Sequence, residues 1–278
     1  MSAAPVSQSK PARSREPGRE MKLLHFIYSH PTLPSIRGNP QAVLNLIDEF
    51  SQTYHFMTVG PAKGPIVTEL IEKNKPSTMI ELGCYVGYSA ILYGDAVRRN
   101  GGRKYFSLEL NPEFAAIANM LIELAGLRDF VRVLVGRSDV LLNQLFESGE
   151  VQHVELLFID HYKPAYTLDL KLCEQLGKII PGVSVIAADN VIFPGNPPYL
   201  EYVRSSVEKK KEEAAKGPVK TYEMEGFNER TVDSYMGDEN APRFEILGDP
   251  NLVYESVLKQ PEGHHDAIEV TRCVGLQA

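Results

Sequence analysis

The sequence has few cysteines, no long apolar run and no excess of basic residues, and each absence excludes a class of protein. Only three of 278 residues are cysteine, and they lie far apart, which disfavours a disulfide framework or a cysteine-based metal site and fits a reducing compartment. No stretch approaches the roughly 18–20 apolar residues that cross a bilayer. With 29 Lys and Arg against 36 Asp and Glu, the net charge is −7, the wrong sign for neutralising phosphates. We expect a cytoplasmic protein with no membrane and no nucleic-acid partner.

The regular part of the sequence predicts an α/β fold. From Thr78 onward, short runs rich in β-branched and aromatic residues alternate with segments of helical apolar spacing. The runs are 78–82, 104–110, 131–135, 154–160 and 183–189. Because this alternation is typical of βαβ units, we expect an open, doubly wound, mostly parallel sheet with helices on both faces. Ligands of such sheets bind beyond the carboxyl ends of the strands.

The segments that flank this pattern are less regular. Residues 1–20 are rich in Ser, Pro and Arg and predict a disordered tail, with residues 21–278 as a single domain. The tail could also be a mitochondrial targeting segment, but its prolines interrupt any amphipathic helix. Asn39 and Pro40 are typical of an N-cap and the first turn of a helix. Residues 206–250 are predicted to be a variable insertion of unassigned fold.

The first predicted strand ends in a glycine turn, ELGCYVGYS at residues 81–89. Gly83 and Gly87 allow a tight turn and close approach of a ligand, but the glycine pattern of dinucleotide sites is incomplete, which disfavours a pyrophosphate. Glu109 ends the second strand, where a carboxylate could accept both hydroxyls of a ribose. This combination favours a nucleoside without phosphate, such as S-adenosylmethionine. The alternative is a tight loop with a solvated carboxylate.

Oxygen-bearing side chains follow the fourth and fifth predicted strands. Asp160 ends the fourth strand, and Asp189 and Asn190 follow the fifth. Carboxylate and amide oxygens are the ligands that Mg²⁺ prefers. Taken singly, the two aspartates are more typical of helix caps. Together with Lys163 and the glycine turn, they favour a magnesium site at this edge of the sheet.

Several motifs together resemble the catechol O-methyltransferase family. They are IELGCYVGYSAI, LELNPEFAAIANMLIELAGL, VGRSD, FIDHYKPAY and ADNVIFPGNPPYL, in the family's order and spacing. The resemblance covers about residues 39–205 and implies the class I, Rossmann-like methyltransferase fold. The segment FMTVGPAKG at 56–64 and the helix before it also resemble the family's N-terminal lid over the cofactor. The implied reaction is cation-dependent methyl transfer from S-adenosylmethionine to a hydroxyl of a small molecule.

The resemblance also implies roles for individual residues. S-adenosylmethionine would be bound by Val59, Glu81, Gly83, Tyr85, Ser89, Glu109, Ser138, Asp139, Asp160 and His161. Within this set, Glu109 would hold the ribose, and Ser138, Asp139 and His161 would lie by the adenine. Mg²⁺ would be bound by Asp160, Asp189 and Asn190. Lys163 would be the catalytic base, and the substrate would contact Met57, Lys163, Asn190 and Pro194.

Departures from the family leave the acceptor open. The sequence contains no tryptophan, whereas in the catechol enzymes tryptophan side chains line the substrate pocket. His55 and Tyr162 occupy the nearest matching positions. Asp139 stands where the family commonly has Gln, and the family's C-terminal substrate-binding glutamate has no clear counterpart. His264 and His265 beside Asp266 are predicted to form a solvated turn rather than a second metal site.

The leading prediction is therefore Mg²⁺-dependent methylation of a small diphenol. The alternatives are a non-catechol acceptor such as a phenylpropanoid, and a non-catalytic cofactor-binding module. The sequence is compatible with a monomer or a homodimer.

Overall fold

The computed structural model describes residues 14, 16–219, 221–222, 225–227, 229 and 242–277. In this part of the chain, seven strands form one sheet in the order β3-β2-β1-β4-β5-β7-β6. The strands are β1 Thr78–Leu82, β2 Lys104–Glu109, β3 Val131–Val135, β4 Leu156–Ile159, β5 Val185–Ala188, β6 Leu252–Lys259 and β7 Ile268–Leu276.

The predicted parallel strands all form. β1 pairs in parallel with β2 and β4, β2 with β3, and β4 with β5. β4 and β5 each begin two residues later and end one residue earlier than the apolar runs 154–160 and 183–189, so the aspartate that closes each run lies directly after its strand. β7 is antiparallel to β5, and β6 to β7. The mostly parallel, Rossmann-like sheet is confirmed, and the sequence analysis did not assign its antiparallel edge.

Helices cover both faces of the sheet. They are α1 Arg19–Tyr28, α2 Leu33–Ile36, α3 Pro40–Phe50, α4 Gly60–Asn74, α5 Tyr88–Arg99, α6 Pro112–Leu124, α7 Ser138–Glu147, α8 Tyr166–Gln175, α9 Pro197–Arg204 and α10 Val207–Ala214. Because side chains alternate along a strand, Met79 packs in the core under α1 and α3–α6, and its neighbour Ile80 packs in a second core under α7–α9. Burial on both faces explains why the strands are almost wholly apolar.

The predicted start of α3 is confirmed. The Asn39 side chain accepts a hydrogen bond from the Ala42 amide (3.1 Å), and Pro40 occupies the first turn. Residues 1–13 and 15 of the predicted tail, and most of 220–241 in the predicted insertion, lie outside the described residues. Among the helices that the structure describes, none is long and apolar enough to cross a membrane.

The order of strands reverses between β1 and β4, and backbone hydrogen bonds continue past the strand ends there. The Asp160 amide donates to the Leu82 carbonyl (2.8 Å), and the Asp189 amide donates to the Ile159 carbonyl (2.9 Å). These bonds fix the first residue after each strand. The carboxyl edge near this reversal is the expected ligand site of an open α/β sheet.

Candidate active site

Lys163 lies at the centre of a cluster of polar side chains at the carboxyl ends of β4 and β5. Its Nζ donates to Asp160 Oδ1 (3.0 Å), Asn190 Oδ1 (2.9 Å) and the Tyr166 hydroxyl (2.5 Å). Tyr166 in turn donates to the Asp189 carbonyl (3.2 Å). Lys163 is buried, because the chain turns tightly from β4 into α8 at Lys163–Ala165. Three acceptors therefore match the three N–H groups of its ammonium.

A second ammonium group, that of Lys63 on α4, reaches the same site. Its Nζ donates to Asp189 Oδ1 and to Asp266 Oδ2, each at 2.5 Å. All three side chains are at most 5% exposed. Burial opposes the Lys63 charge, but the two carboxylates raise its pKa above the ordinary value. Burial and the Asp160 charge raise the pKa of Asp189, whereas the pKa of Asp266 is lowered despite its burial, chiefly by the Lys63 ammonium.

The sequence analysis missed Lys63 and Asp266. The expected solvated turn holds for the exposed His265 but is wrong for Asp266, which is 2% exposed because it faces an ammonium from a distant part of the chain. The sequence contained one indication that Lys63 is buried. Lys63 precedes Val67 and Ile71 at helical spacing, so it occupies a position on the buried stripe of α4.

The donor atoms of this cluster fit a hard divalent cation. Three carboxylates, those of Asp160, Asp189 and Asp266, face only two ammonium groups, which leaves excess negative charge at the site. Carboxylate and amide oxygens are typical Mg²⁺ ligands. In the described ranges no group of three or more His, Cys, Asp and Glu side chains is placed to hold a metal ion, so the predicted site depends on the amide of Asn190.

The glycine turn after β1 lies directly against the loop after β4. Gly83 has φ +94°, and a Cβ there would come within 2.4 Å of the Asp160 carbonyl oxygen. This position therefore requires glycine because two backbone segments meet, not only because a ligand must approach. The position of Asp160 depends on this contact.

Glu81 is a buried carboxyl group below the turn. Its Oε2 accepts a hydrogen bond from the Ser107 hydroxyl (2.5 Å), while Oε1 has no hydrogen-bond partner within the described part of the chain. Burial raises the pKa of Glu81 to about 8. An unpartnered buried oxygen is costly, and a ligand ammonium group would satisfy it. Ser89, at the start of α5, is also buried.

Glu109 at the end of β2 holds the glycine turn in place. Its Oε2 accepts from the amides of Cys84 (3.0 Å) and Tyr85 (2.8 Å), and its Oε1 accepts from the Asn111 amide (2.8 Å). Tyr85 has a left-handed backbone, with φ +48°. The two carboxylate oxygens have about four acceptor sites and the three amides use three of them, so Oε1 keeps one site for a ribose hydroxyl.

The residues predicted near the adenine follow two strands, β3 and β4. Ser138 and Asp139 begin α7. Asp139 pairs with the Arg137 guanidinium (3.1 and 3.0 Å) and accepts from the Arg243 amide (2.9 Å). The bond from Arg243 anchors the backbone before β6 to the start of α7, which follows β3. The adenine role of Ser138 and Asp139 stays a prediction.

His161 is fixed by two neighbours on α8. Its Nε2 lies 2.7 Å from Asp169 Oδ2, and its ring stacks on Tyr166 with 5.2 Å between ring centroids. Its Nδ1 is buried, with no hydrogen-bond partner in the ranges described. The orientation of the ring is therefore determined, which suits the predicted contact with a planar ligand.

The predicted lid residues border an open cleft. Val59 is buried and lines a cleft of about 360 Å³ together with Phe56 and His264. Phe56 also packs against the Tyr85 ring (5.7 Å between centroids), and the Tyr85 hydroxyl donates to Glu20 on α1 (2.5 Å). The N-terminal helices thus reach the glycine turn.

The predicted substrate contacts Met57 and Pro194 are exposed. Met57 is 59% exposed, and the neighbours of Pro194 in the turn after β5, Ile192 and Phe193, are 44% and 61% exposed. Exposed apolar side chains beside a polar cluster are typical of a binding rim.

The sequence profile of the O-methyltransferase family matches residues 39–212. The chain belongs to the O-methyltransferase family. The match includes every strand that carries the site, from β1 to β5, and ends before β6 and β7.

Known members resemble this O-methyltransferase in sequence and in fold. Catechol O-methyltransferase of Bos taurus is 37% identical over 200 residues, which are 71% of this chain and 71% of the relative. The Mus musculus enzyme is 38% identical over 189 residues, 68% of this chain and 69% of the relative. An O-methyltransferase structure from Bacillus cereus in complex with SAH superposes with a TM-score of 0.53 at 19% identity and covers 91% of this chain and 96% of its own. The last likeness shows the fold alone.

Proposed function

We propose that the protein transfers a methyl group from S-adenosylmethionine to a hydroxyl of a catechol-type small molecule, with Mg²⁺ as the bound cation. The observation that carries the proposal is that Asp160 and Asn190 both bind Lys163, while the neighbouring Asp189 is held by Lys63. The names of the similar proteins, catechol O-methyltransferases, support the choice of acceptor.

The cofactor binds along the carboxyl ends of β1 and β2 in this proposal. Glu109 holds the ribose hydroxyls, and His161 lies against the adenine. Oε1 of Glu81, which has no other partner in the described residues, accepts from the ammonium group of the methionine half. Tyr85 and Met57 lie near the sulfonium, where an aromatic face and a polarizable sulfur suit a cation.

Proton transfer in this site is assigned to Lys163. A sulfonium methyl group needs no activation, so the enzyme must supply an ionised oxygen in line with it, about 3 Å away. Asp160, Asp189 and Asn190 would hold Mg²⁺, which would supply the positive charge that lowers the pKa of an acceptor hydroxyl. Lys163 first loses one ammonium proton to solvent, and its neutral Nζ then takes the hydroxyl proton, while the acceptor oxygen bonds to the methyl group and the cofactor leaves as a neutral thioether.

The apolar rim favours an aromatic acceptor. Ile192, Phe193 and Pro194 are exposed beside Asn190 and offer a surface for one ring face. Tyr162, where the family has tryptophan, packs edge-on against Tyr222 with 5.4 Å between centroids. An aromatic ring held here would present adjacent hydroxyls to the Asp160–Asn190 side of the cluster.

Transfer of a labelled methyl group from S-adenosylmethionine to a panel of diphenols tests the proposal. We expect turnover with Mg²⁺, loss of turnover in EDTA, and recovery on adding Mg²⁺. Asp189→Ala should lower kcat/KM at least 100-fold, whereas Asp129→Ala, at an exposed acid away from the site, should leave it unchanged. Label transfer that survives EDTA or Asp189→Ala would defeat the metal role, and turnover only on non-catechol acceptors would defeat the substrate class.

A further inference from the structure

The amide of Asn190 has a defined orientation because it lies between two opposite charges. Its Oδ1 accepts from the Lys163 ammonium (2.9 Å), and its Nδ2 donates to Asp266 Oδ2 (2.9 Å). Exchange of the amide oxygen and nitrogen would set an N–H donor against an ammonium and an oxygen against a carboxylate. Both hydrogen bonds would become repulsive contacts, so one orientation is strongly preferred.

Asp266 is itself held firmly enough to impose this orientation. Its Oδ1 accepts from the backbone amides of Phe193 (2.9 Å) and Ile192 (3.3 Å), and its Oδ2 also accepts from Lys63. The side chain is 2% exposed, so water does not replace these partners. Asp266 thus ties the turn after β5 to the loop before β7.

We infer that Asp266 is a positioning residue that keeps the amide oxygen of Asn190 turned toward the cation site. The inference rests on the proposed function, because it concerns the metal-binding role of Asn190. Groups that hold the ligands of a metal ion typically affect its affinity 10- to 100-fold. Asp266 acts through Asn190 and is not assigned contact with the substrate or the reacting atoms.

The competing explanation is that Asp266 only balances the charge of Lys63. The two explanations predict different results once Lys63 is removed. If Asp266 only balances the charge of Lys63, then Asp266→Ala does not change the cation affinity of a protein that already carries Lys63→Met. If Asp266 orients Asn190, the substitution still weakens cation binding in that background, since the Asn190–Asp266 hydrogen bond does not involve Lys63.

Binding of Mn²⁺, followed by electron paramagnetic resonance in the presence of S-adenosylhomocysteine, distinguishes these explanations. We expect Asp266→Ala to raise the Kd for Mn²⁺ 10- to 100-fold. We expect the double variant Lys63→Met/Asp266→Ala to bind Mn²⁺ at least about 10-fold more weakly than Lys63→Met. Asp266→Asn, which retains an oxygen for Asn190, should lose less affinity than Asp266→Ala and provides a measurement if the alanine variant fails to fold.

Glu269→Gln is the matched control for a loss that is merely structural. Glu269 lies three residues beyond Asp266, is fully buried, and pairs with Arg204 (2.7 and 2.8 Å) away from the cluster. The Glu269→Gln substitution should lower the melting temperature without changing the Kd for Mn²⁺.

Three results would overturn the inference. The first is a folded Asp266→Ala protein that binds Mn²⁺ within twofold of the parent; if that variant does not fold, the comparison of the double variant with Lys63→Met decides. The second is a double variant whose Kd for Mn²⁺ equals that of Lys63→Met. The third is failure of the unsubstituted protein to bind Mn²⁺, which would also remove the proposed metal role; the first two results leave that role standing.

Discussion

The two ends of α8 hold two buried polar clusters of opposite character. At the first turn, Tyr166 and Asp169 belong to the cluster around Lys163 and His161. At the last turn, Glu174 is also buried, but its Oε1 accepts from Tyr254 (2.6 Å) and its Oε2 from Tyr202 (2.6 Å) and the Asp249 amide (3.1 Å).

The two clusters differ in the groups that donate hydrogen bonds to their carboxylates. Neutral hydroxyl and amide donors of the chain complete the bonding of Glu174, and burial raises its pKa. At the other end, the carboxylates of Asp160 and Asp189 are paired with ammonium groups, which a cation can replace. Neutral donors complete the Glu174 cluster, whereas the Lys163 cluster has more carboxylates than ammonium groups, so we assign stability to the Glu174 cluster and chemistry to the Lys163 cluster.

The strongest test of this division is Lys163→Met. Removal of the assigned base should lower kcat about 10²- to 10⁴-fold, while cofactor binding persists. Lys73→Met, at an exposed lysine of α4, is the matched control and should retain full activity in the methyl-transfer assay. An active Lys163→Met protein would remove Lys163 from the mechanism.

Glu174→Ala should have the opposite profile. It leaves two buried hydroxyls and the Asp249 amide without their acceptor, and we expect about 3–5 kcal/mol lower free energy of unfolding, measured by urea denaturation. The kcat of the folded protein should not change. Glu174→Gln, which keeps one acceptor oxygen, should cost less, and a selective loss of kcat in either variant would contradict the division.

Gly83→Ala and Gly101→Ala separate a close contact from backbone strain. Both glycines have positive φ, +94° and +87°, but a Cβ at Gly83 meets the Asp160 carbonyl, whereas nothing lies within 4 Å of one at Gly101. Gly101→Ala should cost about 1 kcal/mol of stability and no activity. Gly83→Ala should cost about 2–3 kcal/mol and lower kcat/KM, because Asp160 shifts. If Gly83→Ala and Gly101→Ala have equal effects on stability and on kcat/KM, the contact between Gly83 and the Asp160 carbonyl has no role.

Glu81 predicts an effect that is small over any one pH unit, a slope of stability with pH. Its folded pKa of about 8 exceeds its ordinary value of 4.5, so between these pH values the folded protein holds a proton that the unfolded chain releases. Stability should therefore fall as pH rises through this window, by up to about 1.4 kcal/mol per pH unit. Glu81→Gln should reduce the slope in urea titrations of the ligand-free protein from pH 5 to 8. Identical slopes would show that Glu81 is ionised in the fold.

Sequence patterns predicted the parallel half of the molecule well and its antiparallel edge poorly. β1 to β5 are short apolar runs; β2 ends at Glu109, and Asp160 and Asp189 directly follow β4 and β5, so strand identity and candidate site follow from the same local signal. Asp266 has no such signal, since its burial depends on Lys63, which lies 203 residues earlier in the chain. Contacts between distant segments of this kind are set by packing and not by local pattern.

The Lys63 ammonium gives α4 a role beyond that of a covering helix. It connects the helix that follows the 56–59 segment both to the end of β5 and to the loop before β7. Withdrawal of α4 would separate charges in a site with little water, at a cost far above that of an exposed ion pair. A shift of α4 is therefore transmitted to the carboxylates of Asp189 and Asp266, so the N-terminal helices and the carboxyl edge of the sheet cannot adjust independently.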